Sequence, residues 1–336
     1  MERAIFINGG AGRVLCAIPA LEKYVIKNKN TIIVAESFLE LYMSSPILRD
    51  KVFSNEHKNL FELIKDKECI TPEPYRLNAY FNQKVNLIQA FDMIINGLTK
   101  IPETAEFDLD ISKSNYVNGY KLCKEAKKIF QKEKVIVFQP FGSGVKSEEN
   151  IVYDDTGRSV EIQNVIKLIK ELSKDYAIII MSQTQIPVNE PLNAIIPDNV
   201  GLLQWNGVIK CADYFLGCDS IGQHIANALN KPSTVMVGST FPENISYPGN
   251  PNFNVVDIGK EKRMYSPIRI TGDYVAELNN EDLMYMEDEQ IDNIVQHIKS
   301  VLGTSEHKCT GSCKTHKKDK VIEAEVEVTE TKEKGK

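Results

Sequence analysis

What the sequence lacks narrows it first. It has no run of the roughly 18 apolar residues needed to cross a bilayer. Its opening apolar run, residues 4–7, is too short for a signal peptide and has no cleavage-like segment behind it. A cytoplasmic protein without a membrane span is therefore expected. It also lacks a disulfide framework. The seven cysteines (Cys16, Cys69, Cys123, Cys211, Cys218, Cys309, Cys313) are odd in number, scattered and mostly set in apolar surroundings, which reads as reduced thiols. Positive charge is not in excess: 40 Lys and Arg stand against 46 Asp and Glu, a formal charge of −6. That balance disfavours a general nucleic-acid surface and repels anionic membranes. The G-x-G-x-x-G dinucleotide fingerprint is missing, and no acidic residue ends the second expected strand, Glu36 being the nearest.

What is present is an ordinary globular composition over 336 residues, more than one core usually holds, so two domains are expected. Residues 4–7 read as a strand, Asn8-Gly9-Gly10-Ala11-Gly12 as a turn, and 14–27 as a helix with Leu15, Ile18, Leu21 and Val25 on one face. A strand over 31–35 completes a βαβ unit, which implies a parallel sheet. A helix at 38–43, a strand near 51–53 and a mostly helical stretch at 73–98, rich in Tyr, Asn, Gln and Arg, continue the first half. Residues 102–111 read as irregular and 115–131 as a lysine-bearing helix between halves.

The second half restarts the pattern. Strands are predicted at 134–138, 176–181, 199–203, 214–217 and 233–237, and helices at 159–174, 221–229 and 288–302. The implied division is 1–115, a bridging helix at 116–133, a second domain at 134–302, and a charged tail at 303–336 too polar to order itself. The final helix is a candidate to pack back on the first domain. Two parallel sheets facing one another would form a cleft at the carboxyl ends of their strands.

Three motifs carry chemistry. Gly9-Gly10-Ala11-Gly12-Arg13 places close-approach backbone, a helix N-terminus and a cation at one mouth; a tight turn serving only packing is the alternative. Gln139-Pro-Phe-Gly-Ser-Gly-Val-Lys146, with Arg158 downstream, offers the donors a diphosphate needs, or is a surface loop with an incidental lysine. Cys218-Asp219-Ser220 turns a strand into the helix that carries His224. Capping alone would explain the Asp-Ser pair, but the histidine close to the same mouth favours a ligand site.

The third motif, read as Asp213, Gly217-Cys218-Asp219-Ser220, His224-Ile225-Ala226, Lys231-Pro232, Gly238-Ser239-Thr240 and Pro242, resembles glycosyltransferase family 9, the ADP-heptose:lipopolysaccharide heptosyltransferase-like family. Gly9–Gly12 with Pro19-Ala20-Leu21 is similar to that family's opening, and the segment 137–143 to the start of its second domain. The resemblance implies a GT-B fold, two Rossmann-like domains facing across a cleft. It implies transfer of a sugar from a nucleoside-diphosphate donor to a hydroxyl acceptor, with no metal or other cofactor. Donor contacts would come from Gly12, Ser143, Gly144, Lys146, Arg158, Asp219, Ser220 and His224. Acceptor contacts would come from Tyr75, Arg76, Tyr80 and Asn82, a cluster that reads equally well as a solvated helix face.

One departure bears on catalysis. Many members carry an acid directly after the first loop's last glycine; here that position is Arg13, which cannot accept a proton. The role then falls to another carboxylate, Asp92 or Glu36, with Asp92 the expected base and Arg13 beside the diphosphate, or the chain binds without transferring. The family's Lys-x-Trp-Pro is replaced by Gly157-Arg158-Ser159-Val160. Two further readings stay open. An acceptor base in DNA would need the lysines at 121, 124, 127, 128, 132 and 134 as a basic face, although a solvated helix explains them more simply. His307, Cys309, Cys313 and His316 have the ligand chemistry of a zinc site, but are packed tightly in sequence for one, and a flexible tail is the simpler account.

Overall fold

The computed structural model describes residues 2–106, 109–148, 151–184, 186–187, 192–263 and 282–304. Four strands make the first sheet: β1 (Arg3–Ile7), β2 (Ile32–Ala35), β3 (Val52–Ser54) and β4 (Glu68–Ile70). All pair in parallel, in the order β3-β2-β1-β4. A parallel sheet needs a crossover between neighbours, and the helix Ala11–Lys27 supplies the first one. Its Val14, Leu15, Ile18 and Leu21 are buried in the core with Ile5 and Ile7 of β1.

The second half holds β5 (Val135–Gln139), a small antiparallel hairpin of β6 (Lys146–Glu148) and β7 (Ile151–Tyr153), then β8 (Ala177–Ile180), β9 (Tyr214–Cys218), β10 (Ser233–Val237) and β11 (Phe253–Asp257). Its main sheet runs β11-β10-β9-β5-β8, all parallel. Strands β5, β8, β9 and β10 are buried along their whole length, which is why they read as continuous apolar runs.

These strand orders locate a crevice in each sheet. In the first, the chain leaves β1 toward β2 and returns to the other side of β1 as β4. In the second, it leaves β5 toward β8 and returns to the other side of β5 as β9. Ligands of open α/β sheets bind outside the carboxyl ends of the strands where the order reverses. The loops after β1 and β4, and those after β5 and β9, therefore flank these crevices.

The structure corrects several expectations. Residues 199–203 are not a strand: Leu202–Cys211 is a helix, lying so close to the helix Lys113–Phe130 that a β-carbon on Gly119 or Gly207 would overlap the other helix's backbone. The stretch 73–98 is broken into a short 3-10 turn (Pro74–Arg76) and two helices, Asn78–Phe81 and Leu87–Asn96. The second begins at a reciprocal cap between Asn86 and Gln89 and stops at Gly97, whose φ is 65°. The final helix, Asp288–Leu302, packs on the second half: Ile291, Ile294, Val295 and Ile298 join Val165, Leu168 and Leu172 in one buried cluster. The short strands β4, β6, β7 and β11 were not anticipated. His307, Cys309, Cys313 and His316 lie outside the described residues.

Candidate functional site

At the second switch point, Gln139 ends β5 and clamps the turn that leaves β9. Its Nε2 donates to Ser220 Oγ (3.0 Å) and its Oε1 accepts from the Gly222 amide (2.8 Å). Gly222 carries no side chain because Gln139 and Phe215 fill that space. Ser220 opens the helix Ile221–Ala228 without a side-chain cap of its own. Asp219 is buried, accepting from Gln223 Nε2 (3.0 Å) and Thr240 Oγ1 (2.8 Å). Burial pushes its carboxyl above the usual range, and the Arg158 charge pulls the other way.

Arg158 comes from the turn after β7. Its Nε donates to Thr156 Oγ1 (3.2 Å), while neither Nη atom makes a hydrogen bond within the described residues. The Gly142 amide is held by Ser159 Oγ (2.9 Å), and Ser143 is exposed on the same loop. Gly144 abuts Asp154 and Thr156. Lys146 stands apart on the hairpin, paired with Asp155 at 2.5 Å and well exposed. The loop thus gathers Gly142, Gly144 and Arg158 and leaves Lys146 outside.

At the first switch point, Arg13 is 6% exposed and bound on both sides of its fork: Nη1 donates to Glu73 Oε1 (3.0 Å) and Nη2 to the Pro72 carbonyl (3.0 Å). Its guanidinium lies over the rings of Tyr75 (5.0 Å) and Phe91 (5.4 Å). Arg13 follows β1 and Glu73 follows β4, so the reversal in strand order is what unites them. Burial raises the Tyr75 phenol, and the charge of Arg13, whose guanidinium lies over the ring, is the main influence pulling it back down. Glu73 is the residue sequence reading missed. Nothing local marks it, since its partner is 60 positions away.

The expected base Asp92 is not at this mouth. It is 4% exposed, ion-paired with Lys23 at 2.7 Å and hydrogen-bonded to Asn96, which also reaches the Ala20 carbonyl. That anchors it about two turns or more along the helix from Arg13. Glu36 is exposed at the end of β2. Among the expected acceptor residues, Tyr80 is buried in edge-to-face contact with Tyr75 (5.6 Å), Tyr75 is half-buried, and Arg76 and Asn82 are exposed.

The first and third motifs meet directly. A β-carbon on Gly12 would stand 3.0 Å from His224 Cδ2. His224 Nδ1 lies 2.7 Å from Tyr247 Oη and 3.5 Å from Cys16 Sγ. Burial pushes the imidazole down to about 4, so it is neutral at pH 7 and shares a single hydrogen bond with the Tyr247 hydroxyl. Nearby, Asn244 Nδ2 donates to the carbonyls of Tyr80 and Val85, both at 2.9 Å. Gly12 and His224 thus pack the two halves together.

Of the lysines considered for a basic face, Lys127 pairs with Asp213, and Lys132 and Lys134 donate to the carbonyls of Lys174 and Leu302. Among the described residues, no group of three or more His, Cys, Asp or Glu is arranged to hold a metal ion. No helix among them is long and apolar enough to cross a membrane.

No protein-family model matches the chain, and no curated protein matches it. Solved structures do share its fold. The iron-containing dodecameric glycosyltransferase TibC from enterotoxigenic E. coli aligns with a TM-score of 0.57 and 12% identity, over 90% of this chain and 76% of its own. The ADP-heptose lps heptosyltransferase II of E. coli gives 0.56 and 11%, over 90% of this chain and 98% of its own. A glycosyl transferase family 9 protein from Veillonella parvula gives 0.51 and 10%, over 90% and 97% respectively. The chain has the two-sheet GT-B fold of these proteins.

Proposed function

From this shared fold we propose that the chain is a glycosyltransferase that takes a nucleoside-diphosphate sugar in its second half and transfers the sugar to a hydroxyl of an acceptor held by the first. One observation carries the reading. Arg158, with both Nη atoms unbonded among the described residues, and the N-terminus of the helix Ile221–Ala228 stand at one switch point. The Arg13–Glu73 pair stands at the other, with the Arg13 guanidinium over the Tyr75 ring.

In this reading the diphosphate takes the Arg158 fork and the backbone amides of Ser143 and Gly144, and the helix N-terminus adds a favourable dipole. The acceptor hydroxyl attacks the anomeric carbon, its proton passes to a carboxylate, and the bond to the diphosphate breaks with its electron pair leaving on the nucleotide. Glu73 is the carboxylate best placed for that proton, and Arg13 fixes its orientation. Asp92 is committed to Lys23 and is assigned a packing role. Arg158 and the helix dipole offset the charge on the leaving group, so no step calls on a metal.

The test is a panel of ADP-, UDP-, GDP- and CDP-sugars, with released nucleoside diphosphate measured by a coupled assay. Release with one nucleotide class, lost in Arg158→Ala, is the expected result. Binding without release by the parent would instead favour a sugar-nucleotide-binding protein, the reading that the occupied Arg13–Glu73 pair would then explain. A DNA acceptor is disfavoured because Lys127, Lys132 and Lys134 are engaged within the protein.

A further inference from the structure

Asp154 lies outside every motif read from the sequence, yet it organises the turn that carries Arg158. Its Oδ1 accepts from the Thr156 amide (2.8 Å) and from Thr156 Oγ1 (2.5 Å), and its Oδ2 accepts from Ser159 Oγ (2.5 Å). A carboxylate accepts only, and a hydroxyl has one proton to give. Both hydroxyls therefore spend their proton on Asp154 and turn lone pairs outward. One lone pair meets Arg158 Nε–H at 3.2 Å, and the other meets the Gly142 amide at 2.9 Å. The direction of every bond in this network follows from the one acidic side chain at its centre.

The network is rigidly seated. Ser239 Oγ donates to the Thr156 carbonyl (2.6 Å), and the Ser239 amide donates to the Gly157 carbonyl (3.1 Å). Gly157 has a φ of 61°, a turn that favours glycine. Val160 N donates to the Pro140 carbonyl (2.9 Å), tying the turn to the loop after β5. Gly144 has no side chain where one would meet Asp154 Oδ1 at 2.5 Å, so the loop is shaped around the carboxylate. With Nε anchored, the planar guanidinium can rotate little, and its Nη pair is left as a fork of fixed direction, the geometry that binds a phosphate bidentately.

We propose that Asp154, acting through Thr156, is the positioning residue of the donor site, aiming the Arg158 fork at the diphosphate of the donor, while its bond to Ser159 holds the Gly142 loop in place. Asp154 does not touch the ligand. Its contribution appears as nucleotide affinity and passes through Arg158. The proposal rests on the donor-site reading above.

The experiment is calorimetric titration of the full chain with ADP, UDP, GDP and CDP, for the parent and for Thr156→Val, Thr156→Ser, Arg158→Ala and the Thr156→Val/Arg158→Ala double variant. Melting temperature is followed in each. Thr156→Val keeps the shape and removes the hydroxyl, and about a tenfold loss of affinity is expected, with Thr156→Ser restoring it. In the Arg158→Ala background, Thr156→Val is expected to change affinity no further, because its effect runs through that guanidinium. Equal affinity in Thr156→Val and parent, or fully additive losses in the double variant, overturns the relay while leaving the donor site standing. Should Thr156→Val fold poorly, Asp154→Asn, which removes the charge and retains an acceptor oxygen, reads the same coupling to Arg158. Failure of the parent to bind any of the four nucleotides overturns the donor-site reading itself, and the relay with it.

Discussion

Gly12 lies against the imidazole of His224: a β-carbon at Gly12 would be 3.2 Å from Nε2. The glycine of the first loop and the histidine of the third motif thus form one contact between the halves. The imidazole is buried, and its ordinary value of 6.5 is pushed down to about 4 by desolvation. The unfolded chain takes up this proton first, so the contribution to stability is full above about pH 6.5. It falls as pH drops from 6.5 toward 4, and the loss saturates below that. The difference is on the order of 3 kcal/mol. Melting curves across this window are expected to show a slope that His224→Gln flattens. An unchanged slope in that variant would contradict burial of a neutral His224 imidazole.

Glu73→Gln removes the carboxylate at the first mouth and keeps an acceptor for Arg13. Turnover is expected to fall by about 10²–10⁴-fold while nucleotide affinity is kept. Asp92→Asn is expected to do the reverse, holding turnover and lowering stability by about 1–3 kcal/mol through the lost Lys23 pair. Steady-state kinetics on both variants, with melting temperatures, separates the two carboxylates. A turnover loss confined to Asp92→Asn would return the base to that residue.

The close approach of the helices Lys113–Phe130 and Leu202–Cys211 makes a stability prediction. Gly207→Ala puts a β-carbon into the backbone of Asn115, which cannot yield as a flexible side chain would. A cost of about 1–3 kcal/mol is expected, read as a lower melting temperature in thermal unfolding. A melting temperature equal to the parent's would show that the two helices are not packed this closely.

Much of this was legible in the sequence. The run from β9 through the helix Ile221–Ala228 to β10 is a continuous apolar strand, a turn and a small-residue helix, and these local signals located it correctly. Residues 199–203 failed because a short apolar run such as Val200, Leu202 and Leu203 fits a buried strand or the start of a helix equally well. What decides it is the approach of Gly207 to the helix Lys113–Phe130, a tertiary fact. The pairing of Arg13 with Glu73 was illegible for the same kind of reason. It exists because β4 returns beside β1, and nothing in the neighbourhood of Glu73 announces that return. Lys146 showed the opposite failure: its spacing suited a phosphate loop, but the chain between Gly144 and Arg158 spends residues on the β6–β7 hairpin and carries the lysine out to Asp155.

Transfer is expected to survive metal removal. Arg158 and the helix N-terminus supply the positive charge at the leaving group in this account. Initial rates after exhaustive chelation, with and without added Mg²⁺ or Fe²⁺, check it. Loss of activity on chelation with recovery on one ion would require a metal step that the account does not contain.

The central claim is that the second half holds the donor through Arg158. Its most direct test is titration of the parent and of Arg158→Ala with the nucleoside-diphosphate sugar that the parent turns over. Parent binding, weakened about tenfold or more in the variant with the melting temperature retained, is the predicted result. Equal binding by the two proteins would contradict it.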